Sequence, residues 1–293
     1  MNLKQAYLRA SVETGQQFEA CLTETGPQLI YLDCGFFDAG QFRALADRAH
    51  AAGRLIGLRL PYIWRDRAEA WLAACAGEIR AAGFDLFLYR NIESALAFAE
   101  AGLYGLAGAL ADSSMYVLNR DAALFLREML PGPAGITFSL EQDRREIGEL
   151  ARALKGAFPG ETGSSQQTIE SKPGASGEVP VELPVYGRAP MMVSAQCLNK
   201  TASGCDKKEK LLYLKDRTGN RMPVKNCCRF CYNLIYNAVP TVLYDLEEEI
   251  RAVGPDSVRY AFSAESADEV RRILAGELPA GGFTRGHWKK SVQ

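Results

Sequence analysis

Histidine is nearly absent, with His50 and His287 the only two in 293 residues. There is no H-E-x-x-H helix and no G-x-S-x-G turn, so the usual routes to peptide hydrolysis, through a zinc-bound water or an activated serine, lack their residues. Net charge is missing as well. Lys and Arg number 34 against 35 Asp and Glu, a formal charge of -1, so any affinity for nucleic acid must come from local charge. No apolar run approaches the roughly 20 residues that span a bilayer. The opening MNLKQAYLRASVETG lacks the apolar core and cleavage site of a secretory signal. No membrane insertion and a cytoplasmic location are therefore expected. In that reducing compartment, clustered cysteines mean metal more often than disulfides.

What is present is strand–helix alternation. Apolar strands are expected at 6–12, 28–33, 54–60 and 84–89, then at 106–109 with 115–118, and at 135–140. Between them run helices reaching Thr23, over 39–52, through Trp71, Ile79 and Ala82, and over 92–101. His50 falls on the polar side of the 39–52 helix as a solvated cation near its C-terminus. Alternation at this density means a parallel sheet. The number of repeats, and the lack of a Gly-rich dinucleotide fingerprint after the first strand, favour closure. The fold class is α/β, a TIM-like parallel β/α barrel with a Cys-rich C-terminal segment. Residues 1–160 supply its N-terminal βα repeats, with the last helix ending at Phe158. Residues 161–180 form a Ser/Gly/Pro loop too polar to bury itself, and 181–293 complete the barrel. Within that last part, 182–194 reads as one barrel strand, 211–214 and 221–224 as a hairpin, and 232–237 as a helix or turn entering the barrel. The final strands are 241–244 and 257–262, and Ser266 opens a capping box.

Five of the eight cysteines, Cys197, Cys205, Cys227, Cys228 and Cys231, fall within 35 residues. The two-residue gap of Cys228-Arg-Phe-Cys231 lets two thiolates converge on one ion or cluster. Cys197 and Cys205 bracket a Gly-containing turn and supply the other pair. Cys227 is an alternative to Cys228, and spacing alone leaves zinc and an iron–sulfur cluster both open. Cys21, Cys34 and Cys75 read as buried small hydrophobes.

The run VELPVYGRAPMMVSAQC, the segment LKDRTGNRMPVKNCCRFCYNLIYNAVP, the strand–helix SVRYAFSAESADEVRRIL and the tail FTRGHW together resemble the collagenase-like U-32 peptidase family. Glu182, Gly187 and Cys197 fit stations of its signature. Pro184, Pro190 and Ala195 depart from it, placing the chain outside the subgroup the signature describes. The resemblance implies a β/α barrel and a 4Fe-4S cluster, here on Cys197, Cys205, Cys228 and Cys231. It further implies oxygen-independent hydroxylation of RNA bases or quinone precursors, peptidase being the older label. A cluster that activates substrate belongs at the barrel mouth. Arg188, Arg217 and Arg285 are candidates there for carboxylate or phosphate capture, with His287 within reach of the site.

RNA also has a local argument. From Cys197 to Cys231 nine Lys or Arg face three acids, and Tyr213, Phe230 and Tyr232 are interleaved as stacking platforms. RNA and a protein partner subunit are the partners considered. A collagenase-like peptidase and a zinc-stabilised, non-catalytic binding module are the competing readings.

Overall fold

In the strands of the N-terminal half, one set of alternate residues is uniformly apolar and the other mixes large apolar side chains with charges. The computed structural model, which describes residues 7–23, 25–130, 133–155 and 179–290, accounts for that pattern. The apolar set faces outward onto helices, and the mixed set fills the inside of a barrel.

Strands β1 (Tyr7–Val12), β2 (Leu29–Asp33), β3 (Leu55–Arg59), β4 (Leu86–Tyr89), β5 (Gly108–Ala111), β6 (Pro133–Thr137) and β7 (Val181–Gly187) pair in sequence order, all parallel. A strand near the C-terminus, Ser257–Ala261, lies between β7 and β1 and closes the ring of eight. Helices α1 (Gly15–Cys21), α2 (Phe42–Ala51), α3 (Asp66–Ala82), α4 (Ile92–Glu100), α5 (Arg120–Met129) and α6 (Arg144–Lys155) follow the first six strands. Their starts are fixed locally: the side chains of Thr14, Asn91 and Asn119 accept hydrogen bonds from first-turn amides, the usual N-cap arrangement.

The large hydrophobic core lies between strands and helices, whereas Leu29, Tyr31, Leu88 and Leu110 form a separate cluster inside the barrel. Gly57 makes room for that inner cluster. A Cβ there would stand 2.5 Å from the Tyr31 ring, closer than packed atoms approach.

Several expectations are corrected. The fifth strand is Gly108–Ala111 rather than 106–109, and 115–118, expected as strand, is instead the end of a 3-10 turn (Ser113–Met115) and irregular chain after it. Residues 182–194 are two strands. β7 ends at Gly187, whose φ of +146° and close approach to Ala261 suit only glycine. The chain then enters β8 (Pro190–Ser194), in a second, antiparallel sheet ordered β8-β11-β10-β9, where β9 is Leu211–Lys215, β10 is Arg221–Cys227 and β11 is Tyr232–Tyr236. The hairpin is therefore real but longer than expected, and 232–237 is mainly strand instead of helix or turn. Only Thr241–Val242 (β12) of 241–244 is strand, antiparallel to β7. Helix α8 (Glu247–Val253) leads to the closing strand, β13, and then α9 (Ala267–Leu274) begins with the anticipated Ser266–Glu269 capping box. Phe158 and most of the 161–180 loop lie outside the described residues.

Candidate functional site

Parallel barrels carry their chemistry at the C-terminal ends of the strands, and here that end is roofed by the antiparallel sheet. Tyr232, Leu234 and Tyr236 of β11, with Lys225 and Cys227 of β10, face the barrel. Lys225 Nζ lies 2.7 Å from Glu13 Oε2, and Tyr236 donates to Glu13 Oε1 at 2.6 Å. Tyr232 accepts from the Tyr62 backbone N–H at 3.3 Å.

Beneath the roof the barrel interior is a network of charges. Glu182 is fully buried. It accepts from Arg9 at 3.1 Å, Tyr31 at 3.2 Å and Thr137 at 2.9 Å, and pairs with Arg259 at 3.1 Å. Asp112, one layer nearer the mouth, accepts from Arg259 at 2.6 Å and Arg59 at 3.2 Å, with Arg90 at 3.5 Å. Arg90 also donates to Asp33 and lies over the Tyr62 ring, 4.2 Å from its centroid. Burial by itself would push the Asp112 carboxyl up, but the Arg259, Arg59 and Arg90 guanidiniums outweigh it and hold Asp112 far below the usual carboxylate range. Burial, reinforced by Glu13, pushes the Tyr236 hydroxyl well up.

Two adjoining cavities open above this network. The inner one, of about 40 Å³, is lined by Glu13, Arg59, Arg188, Tyr236, Arg259 and Ser263, among others. The outer cleft, of about 660 Å³, runs past Arg90, β8 and the C-terminal tail. Tyr62, Ser113, Leu140, Pro184, Pro190 and Thr241 line both.

Arg188 lines the inner cavity, and Arg285 and His287 line the outer cleft. The two arginines are already engaged. Arg188 donates to the Ala238 and Asn237 carbonyls and sits 3.4 Å from Glu265, and Arg285 forms a fork with Asp245. Arg217 belongs to the exposed hairpin turn and lines neither cavity. Sequence reasoning missed Arg59, Arg90, Arg259, Asp112 and Glu13, the groups that define the mouth. The available signal was a charge at or next to the end of successive apolar strands: Glu13, Asp33, Arg59, Arg90 and Asp112.

The cysteines gather at one pole of the roof. Cys197 caps α7 (Leu198–Ser203), its sulfur accepting from the Lys200 N–H at 3.4 Å, and Cys205 follows that helix. Cys228 and Cys231 sit in the four-residue turn between β10 and β11, where Cys231 takes φ of +58°. Two asparagines tie these segments together. Asn233 donates to the Gln196 carbonyl at 2.7 Å; Asn226 donates to the Lys208 carbonyl at 2.8 Å and to Cys228 Sγ at 3.1 Å. Burial pushes the Cys228 thiol up, Glu209 adds to this, the Asn226 amide opposes it, and the thiols of Cys197 and Cys205 push it further. Cys227 turns the other way. It is fully buried, 3.7 Å from the Gly35 carbonyl, with its thiol pushed up to about 12 by burial.

Four thiols on two tethered segments supply the donor chemistry of a tetrathiolate centre. They are not drawn onto one point: among the described residues no three His, Cys, Asp or Glu side chains form a group able to hold a metal. None of the four lines either cavity; the thiols of the β10–β11 turn lie at the opposite end of β11 from Tyr236, about 13 Å along the strand.

The basic stretch is also partly absorbed by the fold. Lys225 pairs with Glu13, Arg229 donates to the Cys34 and Phe37 carbonyls, and Lys210 pairs with Asp206. Phe230 and Tyr232 are buried, and Phe230 packs edge-on against Trp71. They cannot stack on bases as expected. Tyr213 remains exposed beside Arg221. No helix among the described residues is long and apolar enough to cross a membrane.

No family model matches the sequence, and no curated protein does. Among solved structures, the chain is similar to thiamine phosphate pyrophosphorylase from Pyrococcus furiosus, with 9% identity and a TM-score of 0.44, covering 93% of this chain and 96% of that one. A spore cortex-lytic enzyme from Bacillus cereus aligns at 8% identity and TM-score 0.40, over 95% of this chain and 74% of that one. For 3-dehydroquinate dehydratase from Geobacillus kaustophilus the values are 11% and 0.36, over 62% and 80%. At such identities and scores these likenesses say nothing of activity. The barrel is established by the closed ring of eight parallel strand pairings, an architecture that hosts many unrelated enzymes.

Proposed function

We propose that the chain is an iron–sulfur enzyme of the U-32 type, with Cys197, Cys205, Cys228 and Cys231 as the ligands of a 4Fe-4S cluster and oxygen-independent hydroxylation, foremost of an RNA base, as its reaction. The observation that carries this reading is the meeting of two cysteine-bearing segments at one pole of the sheet that roofs a TIM-type barrel mouth. The cluster, when bound, supplies one-electron redox capacity. With water as the oxygen source, converting R–H to R–OH releases two electrons and two protons, so the reaction also needs an electron-accepting partner protein and a proton acceptor. RNA would contact Lys207, Lys208, Lys215, Arg217 and Arg221 along the exposed hairpin, with Tyr213 as the stacking surface.

A second reading has its own support. Because none of the four thiols reaches a cavity, a closed zinc site that only stabilises the roof fits the same donors. Anaerobic purification decides between the two. A brown protein carrying iron and acid-labile sulfide, both lost in Cys231→Ser, supports the cluster. A colourless protein with one zinc per chain, whose roof unfolds with chelator, replaces it with the structural site. Peptide cleavage that survives loss of the metal would favour a hydrolase instead.

A further inference from the structure

The charges around the barrel mouth do not balance. Arg9, Arg59, Arg90, Lys225 and Arg259 are buried, as are Glu13, Asp33, Asp112, Glu182 and Glu265. Arg188, half-buried, joins the set through its pairing with Glu265. Six cationic side chains therefore face five carboxylates, and the one beyond the buried pairs is Arg188, 20% exposed. The inner cavity itself is lined by three guanidiniums, of Arg59, Arg188 and Arg259, against the single carboxylate of Glu13.

The inner cavity also holds unused hydrogen-bonding capacity. Ser263 Oγ and Arg259 Nε are buried without a hydrogen-bond partner among the described residues, and both residues line it. Ser263 is 4% exposed and Arg259 2%. Arg59 lines the same space; among the described residues its one hydrogen bond runs from Nε to Asp112, with Asp33 3.9 Å from Nη1. About 40 Å³ admits one small polar group and little more, since a single water needs roughly 10–15 Å³ on the same measure.

We infer that the inner cavity is a carboxylate subsite, in which one carboxylate group of a small organic acid is received by Arg59 and Arg259 with Ser263 Oγ donating to it, while the remainder of the molecule lies in the outer cleft. A carboxylate supplies the single negative charge that the surplus calls for; a phosphate monoester, close to doubly charged at neutral pH, overcompensates and is too large for the space. The guanidinium fork of Arg59 matches the planar carboxylate, and Arg259 adds its Nε. The hydroxyl of Ser263 adds a donor whose loss leaves the surrounding fold untouched. This site is independent of the cysteine pole and stands whether or not the thiols hold metal.

Isothermal titration of the full chain at low ionic strength with benzoate, benzamide and phenyl phosphate tests it. Benzoate is expected to bind one per chain and at least about tenfold more tightly than either of the others. Ser263→Ala, with an unchanged melting temperature, should weaken benzoate several-fold and leave benzamide unaffected. Arg59→Lys, which keeps the charge and loses the fork, should weaken it further. Equal binding of benzoate and benzamide, tighter binding of phenyl phosphate, no benzoate binding at millimolar concentration, or full benzoate affinity in Ser263→Ala would each overturn the assignment.

Discussion

Asp112 shows how far single residues govern this barrel. Its carboxylate answers three guanidiniums from β3, β13 and the residue after β4, so Asp112→Asn leaves Arg259 with Glu182 alone and Arg59 with only the distant Asp33. A loss of about 3–5 kcal/mol in urea unfolding is expected, as for other buried pairs broken from one side. The pH dependence follows from the direction of the shift. Asp112 is depressed in the folded state, so its contribution is complete above the unfolded value of about 3.9 and declines as pH falls below it. The Asn variant should accordingly show a shallower fall in stability between about pH 4 and pH 2.

The cysteines separate at the same scale. Iodoacetamide at pH 8 should label Cys197, Cys205, Cys228 and Cys231 in the native, metal-free protein and spare Cys227, whose thiol is buried and pushed up to about 12. Mass spectrometry that finds Cys227 labelled before Cys228 would reverse the choice of ligand. Adjacent cysteines in a sequence look equivalent. What distinguishes them is strand alternation, since Cys227 still belongs to β10 and points into the barrel while Cys228 begins the turn. That division was implicit in the residues, but reading it required knowing where β10 stops.

Among the elements, the β9–β10 hairpin and the C-terminal tail carry separable predictions. If RNA binds, Lys215→Glu with Arg217→Glu and Arg221→Glu should weaken it strongly at low salt and flatten the dependence of affinity on ionic strength. Binding that is indifferent to salt in the unaltered chain removes the hairpin from the account. The tail is held by Trp288, which is buried, donates from Nε1 to Glu249 at 2.7 Å and accepts the Arg144 N–H at 3.1 Å. Trp288→Ala should cost about 3–5 kcal/mol and deform the wall of the outer cleft, readable as a lower melting temperature together with weaker ligand binding.

At this scale the sequence was clear where an element is amphipathic and obscure where it is not. Helix α9 announced itself through Ser266 and Glu269. The break between β7 and β8 did not, because Pro184, Gly187 and Pro190 punctuate a run that stays apolar on both sides. The 232–237 segment had the same difficulty. Its residues Tyr232–Tyr236 are buried on both faces as a strand, which erases the period that tells strand from helix.

For the molecule as a whole, the barrel was legible from strand–helix alternation, since only a parallel sheet accommodates so many crossovers. The roof and the charged interior were not. A strand inside a small barrel has both faces buried, so Arg9, Arg59 and Arg259 look like surface residues until closure places them opposite Asp112 and Glu182. Closure itself is testable. A chain ending at residue 256 lacks β13 and leaves both β1 and β7 unpaired on one side, stranding Asp112 and Glu182 without Arg259. Such a fragment should retain far-ultraviolet helical signal but bind hydrophobic dye and unfold without a cooperative transition.

The strand that completes the ring comes late in the order of synthesis. While residues 188–240 emerge from a ribosome, the seven preceding strands have no closing partner, and the roof must take shape over an open rim. The asparagine ties of the cysteine pole are internal to the roof, and the barrel residues that hold its turn, Cys34, Phe37 and Trp71, precede it in the chain, so it can set before the ring shuts. Any ion or cluster delivered to those thiols could then be installed on the nascent chain, ahead of the arginine that bridges Asp112 and Glu182.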